Sequence, residues 1–241
     1  MFLDKAPNVV EKPLDICYRC DTNIIDAANE VYPVMQAAEG KGKGIVGVET
    51  DFNLIKPDSM VVCRNTSPLV DLYFTLMMAH KPAYIYGMDI MNSLQKFLRP
   101  YKEDTIQYVL TDLSYKYEDL ERDKTDEGKY KLAIFRENYT IFKKMSEMCS
   151  RTETIQALFD RIKKIFETKK GAIKLCTIHK SKGLEAKVVY ILEENLIPSK
   201  YAKSPEQITQ EFNLKYVART RAKNELYYLN LQKEYLEEEH V

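Results

Sequence analysis

Four features are absent from these 241 residues, and each absence removes a class of function. No stretch approaches the roughly 20 consecutive apolar residues that span a bilayer, so no membrane helix is expected. Met1 to Lys12 has no apolar core of the kind a secretory leader needs, which makes the cytoplasm the expected compartment. Net charge is missing too: 36 basic residues balance 36 acidic ones, so no global pull on a polyanion is implied. Finally, no G-x-x-x-x-G-K-[ST] occurs, and no Asp-Glu pair ends an apolar strand. These residues alone therefore hold neither a phosphate cradle nor the carboxylates for a Mg²⁺-nucleotide.

Metal ligands are also sparse. Five cysteines stand at 17, 20, 63, 149 and 176. Cys17 and Cys20 form a C-x-x-C, which could serve redox chemistry or half a zinc site. The remaining zinc ligands would have to come from Cys176 and His179, far away in sequence, so no metal site is expected and the thiols are read as reduced and partly buried.

The charge that is present is unevenly spread. Residues 160–187 hold nine Lys or Arg against three acids, whereas residues 102–127 hold nine acids against four bases. A basic stripe beside an acidic region suggests one surface for phosphates and one that avoids them; a pair of solvated helix faces would look the same.

Apolar spacing predicts short strands at Leu14 to Cys17, Ile45 to Val48, Met60 to Cys63 and Ala83 to Tyr86, with helices between them. Asp21 or Thr22 suits a helix cap, and Ser67-Pro68 is a helix start. From Pro100 to Arg151 the pattern is helical and charged, and a further helix is expected over Glu153 to Phe166. Strands return at Ile173 to Thr177 and Val188 to Leu192, and a helix from about Pro205 to Ala222 precedes a last strand, Glu225 to Leu229. Strand and helix alternate on either side of a helical block. That predicts an α/β fold, a parallel sheet flanked by helices with an α-helical insertion. No internal repeat is visible.

Gly42 to Gly47 formally matches G-x-G-x-x-G, but it follows a helix and runs into a strand, the reverse of a dinucleotide-binding turn. Three other segments carry more chemistry. Cys17-Tyr18-Arg19-Cys20 sits between a strand and a helix, and offers a flat ring for a base and a guanidinium fork for phosphate. Thr177 to Glu185 packs polar groups between two apolar strands, where parallel sheets place ligands. Tyr216 to Lys223 carries Arg219 and Arg221, two apart on a helix and so on different faces; one could enter a cleft while the other meets solvent or DNA.

Together these segments resemble the UvrD/Rep-like superfamily 1 DNA helicases. Asp15 to Cys20 with Ala27-Ala28-Asn29 looks like motif IV. Thr177 to Glu185, continuing into Val188-Val189-Tyr190, looks like motif V, and Gln210-Glu211 through Tyr216 to Lys223 looks like motif VI. Asp58 to Asn65 with Tyr84 to Gly87 is similar to the strand–helix–strand unit after motif IV. The resemblance implies a RecA-like second motor lobe over 1–99 and 152–241, with 100–151 as a reduced accessory insertion. It implies ATP with Mg²⁺, the Mg²⁺ ligands lying on a first lobe outside these residues. The implied partners are that lobe and single-stranded DNA, with no membrane. The setting could equally be the replicating DNA of a virus or phage, in DNA replication or repair.

The resemblance also implies roles. Tyr18 would stack on adenine, Arg19 and Arg221 would reach the γ-phosphate as arginine fingers, and Gly183 and Glu185 would meet the nucleotide. Thr177, His179, Lys182 and Arg64 would touch DNA, and Gln210 and Glu211 would support the motif. Two departures stand out. Residue 219 is Arg where the family usually has an apolar residue or glycine, and the insertion is short. The chain is then expected to be a fragment or one product of a split gene, and inactive as an ATPase alone. A non-catalytic DNA- or partner-binding module is the rival reading; an unrelated α/β enzyme using the C-x-x-C or the glycine segment is another.

Overall fold

A computed structural model describes residues 14–87, 89–163 and 171–230. The first unit is β1 (Ile16–Cys17), α1 (Thr22–Asn29), β2 (Gln36–Ala37) and β3 (Ile45–Glu49). Then come β4 (Met60–Cys63), α2 (Ser67–Met78), β5 (Ala83–Ile85) and α3 (Asp89–Leu98). The insertion supplies α4 (Ile106–Arg122) and α5 (Asp126–Ser146), followed by α6 (Ile155–Ile162). The chain closes with β6 (Ile173–Thr177), β7 (Ala186–Leu192), α7 (Pro205–Arg219) and β8 (Ala222–Leu229). The helix expected to reach Phe166 is seen to Ile162; its remainder lies outside the described residues, as does part of the basic stripe.

Six strands form one sheet in the order β3-β8-β7-β4-β6-β5, and every pairing is parallel. β1 and β2 pair separately, also in parallel. The fold is the expected α/β type. β2 was not expected: two residues carry no periodicity, and just before them Asn29 holds the Met35 main chain through two hydrogen bonds.

The central strand shows why an unbroken apolar run suits this position. All four residues of β4 are buried. Val61 and Cys63 point into a core shared with α2, α3, α4, α5 and α6. Met60 and Val62 point into a second core with α1 and α7. The period of two in a strand splits β7 the same way, Tyr190 and Leu192 to one side, Val189 and Ile191 to the other. The insertion is not tethered loosely: Ile106, Val109, Leu113, Ile141, Phe142 and Met145 belong to the same core as Val61 and Leu175.

The glycine segment has a structural task. The main-chain N–H groups of Thr22 and Asn23 donate to the carbonyls of Gly42 and Lys43 at 3.0 and 2.7 Å, so this loop caps α1. A Cβ at Gly44, where φ is +71°, would lie 2.7 Å from Asp21 Cβ. Carbonyls, not N–H donors, face the helix start, the opposite of what a pyrophosphate needs.

Candidate functional site

The expected site residues separate into two groups at opposite ends of the sheet. Arg64, Thr177 and His179 lie at the C-terminal ends of β4 and β6, which pair in register from Met60–Lys174 to Cys63–Thr177. Glu185, Arg221 and Lys223 lie at the N-terminal ends of β7 and β8, with Arg19 beside them. Since β6 and β7 both run parallel to β4, the segment 178–185 has to cross from one end of the sheet to the other. From sequence the segment is a single polar loop between two strands; in the fold its two ends stand at opposite ends of the sheet, with Thr177 and His179 at the C-terminal end of β6.

The N-terminal group forms an open groove of about 770 Å³, lined by Cys17, Tyr18, Arg19, Met35, Glu185 and Lys223 among others. Tyr18 is 77% exposed, a flat face turned outward. Arg19 Nη1 meets Glu185 Oε2 at 3.4 Å, while its Nε is buried and has no partner among the described residues. Lys223 also pairs with Glu185. Lys223 first, and Arg19 after it, hold the Glu185 carboxyl below the usual carboxylate range. An outward aromatic face and a guanidinium with a spare donor fit a nucleotide's base and phosphates. Lys223 had no assigned role from sequence; its neighbour Arg221 hid it, and only the fold brings it to Glu185, 38 residues earlier.

Arg221 is buried. Its Nε donates to the Val217 carbonyl at 3.0 Å, and its Nη1 to those of Leu184 at 3.0 Å and Ser181 at 3.4 Å. It therefore grips the end of the crossing segment. Burial and then the nearby Arg19 charge push its pKa down. Gly183 sits on that turn at φ +87°, a conformation that L side chains rarely adopt. Lys182 is exposed next to it.

Arg219 behaves differently from either sequence option. It is turned away from both the groove and solvent. It is 5% exposed and bonds Glu194 at 2.9 and 3.2 Å, Glu30 at 2.7 Å and the Ala27 carbonyl. Its guanidinium also lies 5.3 Å from the Tyr228 ring centre. It ties α7 to α1, and no apolar residue could make these bonds.

At the C-terminal end, Arg64 is held by Glu211 through three contacts of 2.7 to 3.2 Å. Glu211 also accepts from the Ser199 N–H at 2.9 Å. His179 is exposed close by; desolvation and then the Arg64 charge push its pKa down, so its ring is neutral at pH 7. Thr177 and Lys180 line a separate cavity of about 240 Å³ with Thr66, Tyr86, Ser93 and Asn138. Among the described residues no group of His, Cys, Asp and Glu could hold a metal ion, and no helix is long and apolar enough to cross a membrane.

Burial pushes the Glu211 carboxyl up, but the Arg64 donors and the Ser199 N–H outweigh it, and its net shift is below the ordinary value of 4.5. A depressed folded value means stability that is complete above the unfolded value and lost as pH falls through the folded one. Glu211→Gln should lose about 2–3 kcal/mol at pH 7, because one partner of a half-buried pair is removed. It should also flatten the fall in thermal stability below pH 4.5. Melting curves between pH 3 and 7 check both; a variant whose acid profile matches the parent would contradict this assignment.

Comparison with known proteins agrees with this arrangement. The family model of the UvrD-like helicase C-terminal domain matches residues 75–233, well over half the chain and including Thr177 to Arg221. The ATP-dependent DNA helicase Rep of Buchnera aphidicola subsp. Schizaphis graminum (strain Sg) is 33% identical over 81 residues, which are 33% of this chain and 12% of that protein. The matched part is thus a small share of the relative's length. With four of the six sheet strands, the crossing segment and the buried arginine after α7 in the matched range, the chain belongs to the UvrD-like helicase C-terminal domain family.

Proposed function

We propose that this chain is the second RecA-like lobe of an ATP-driven DNA translocase that moves 3′ to 5′ and serves DNA replication or repair, with 100–151 as a reduced accessory element. Tyr18 stacks on the adenine. Glu185 and Gly183 border the ribose. Arg19 and Arg221 present guanidinium groups to the γ-phosphate, where charge develops as the phosphoryl group transfers. The phosphate loop and Mg²⁺ ligands come from a partner lobe. Thr177, His179, Lys182 and Arg64 face single-stranded DNA.

One observation carries this reading. Arg221 holds the carbonyls of Ser181 and Leu184, while Thr177 and His179 stand at the other end of the same segment. A change at the nucleotide end pulls on the strand-binding end through a handful of bonds. That is the coupling a translocase requires. Arg64 enters the reading with its fork already engaged by Glu211, so little of it is left to grip phosphate.

The chain alone should bind single-stranded DNA weakly and without sequence preference. Two or three phosphate contacts, at ~0.7 per contact, imply a log–log salt slope of roughly −1.5 to −2. Fluorescence anisotropy at rising salt measures this. Combining His179→Ala with Lys182→Ala should weaken binding and shallow the slope. Affinity indifferent to salt, or to both substitutions, would remove the strand-binding part of the proposal.

A further inference from the structure

The C-x-x-C plays no part in the reading above, yet the fold puts it at the nucleotide groove. Cys17 ends β1 and lines the groove wall. Cys20 is fully buried just before Asp21. The chain bends between them, so that the Cys20 N–H donates to Cys17 Sγ at 3.5 Å. The Cys20 thiol donates to the Thr220 carbonyl at 3.7 Å, one residue before Arg221. The residues enclosed by the pair are Tyr18 and Arg19.

We propose that Cys17 and Cys20 are a dithiol that hydrogen peroxide converts into an intramolecular disulfide, switching the groove by drawing Cys20 off Thr220 and closing a ring around Tyr18 and Arg19. Cys17 attacks first, because it is the sulfur reached from the groove. Burial pushes its pKa up, but the N–H groups of Cys20 and Arg19, the Cys20 thiol and the Arg19 charge outweigh this, and the net shift is down. Burial, and then the charge of Cys17, push Cys20 up to about 11, which keeps it protonated as the resolving thiol. The other thiols are poorer targets. Burial pushes Cys63 and Cys176 up to about 12, and raises Cys149, which has no cysteine near it in sequence.

The atoms balance. The Cys17 thiolate takes one oxygen from peroxide; the S–O bond forms as the O–O bond breaks, and the departing hydroxide takes up a proton. Cys20 then attacks the Cys17 sulfur and gives its proton to the leaving oxygen. The S–S bond forms and a second water departs. Two thiols lose two electrons, and peroxide gains them.

The effect on turnover rests on the nucleotide reading; the bond itself does not. Reduced full-length chain would be treated with peroxide, alkylated, digested and weighed. The expected product is a Cys17–Cys20 peptide lighter by two hydrogens, blocked to alkylation and restored by dithiothreitol, with the other three cysteines alkylated. In Cys20→Ala the Cys17 sulfenic acid should be trapped by dimedone. Oxidation of Cys149 first, or a bond between two chains, would overturn the proposal. In a motor reassembled with a phosphate-loop lobe, peroxide should reversibly lower ATP turnover. The Cys17→Ala, Cys20→Ala double variant, compared with its own untreated rate, should not respond. A disulfide that leaves turnover unchanged refutes the switch. If the link forms but the reduced chain supports no turnover, the nucleotide reading fails and the modification site stands.

Discussion

Replacing Arg221 by alanine, in a motor reassembled from this chain and a phosphate-loop lobe, should lower DNA-stimulated ATP turnover at least about 10³-fold, the arginine-finger precedent. Arg19→Ala should do the same. Both groups meet charge that develops on the transferring phosphoryl, so single-stranded DNA affinity should change much less. The two variants differ in one respect. Arg19 is 36% exposed with one long ion pair, so its loss should leave the melting temperature nearly unchanged. Arg221 bonds three main-chain carbonyls, so its loss should also loosen the 178–185 segment. Arg221→Lys tests this: it keeps the charge but cannot make all three bonds, and it should recover little turnover. Tyr18→Ala should instead raise KM for ATP, since stacking is present in both ground and transition states. Single-turnover phosphate release with matched melting curves separates these effects. Full turnover in both arginine variants would end the helicase-lobe reading of this groove.

Arg219→Ala should be the most destabilising of the single substitutions considered. Its side chain is 6% exposed and its pairing with Glu194 involves two contacts, with Glu30 and the Ala27 carbonyl completing the set. Removing one partner of such a buried pair costs about 3–5 kcal/mol, because Glu194 is left with Lys215 alone and the Ala27 carbonyl loses its donor. For a chain of this size that is a fall of roughly 10 °C in melting temperature. Glu194→Ala should cost a similar amount, though Lys215, 3.1 Å from Glu194, would also lose its partner. The double variant Arg219→Met, Glu194→Met should be less destabilised than the sum of its parts, since the buried pair goes together and, of the charges, only Lys215 and the exposed Glu30 lose a partner. Strict additivity across that cycle would show that the pair is not coupled. Arg219→Ala that kept its melting temperature but lost turnover would exchange the roles given to Arg219 and Arg221.

Much of the fold was legible because the signals are local. β4 and β6 have the expected bounds, and Thr105, Thr125, Thr154 and Ser204 each accept a hydrogen bond from the first turn of a helix. An apolar run, a period of two or 3.6, and a hydroxyl before a helix all act within a few residues. The site was less legible. Tyr18, Arg19, Glu185 and Arg221 were recognised by motif; the fold puts the first three on one groove, with Arg221 buried near Arg19 and Glu185. Arg64 was read as a strand contact, without sight of the glutamate 147 residues away that occupies its fork. The glycine segment was set aside as a phosphate turn on its order alone, and the fold gives it a different task, its carbonyls capping α1.

What the sequence determined by itself is the kind of each element and the chemical repertoire of each motif, since both depend on neighbours along the chain. What only the tertiary structure decided is where those motifs stand. The parallel strands β6 and β7 send the 178–185 segment across the sheet, so one motif has residues at both ends. Burial then decides which charges can work. Both Arg219 and Arg221 leave water, but Arg219 meets carboxylates and becomes a clamp. Arg221 meets carbonyls, which carry no compensating net charge. Two residues at one helix end have different partners because their surroundings differ, and those surroundings are assembled from parts of the chain up to 192 residues apart.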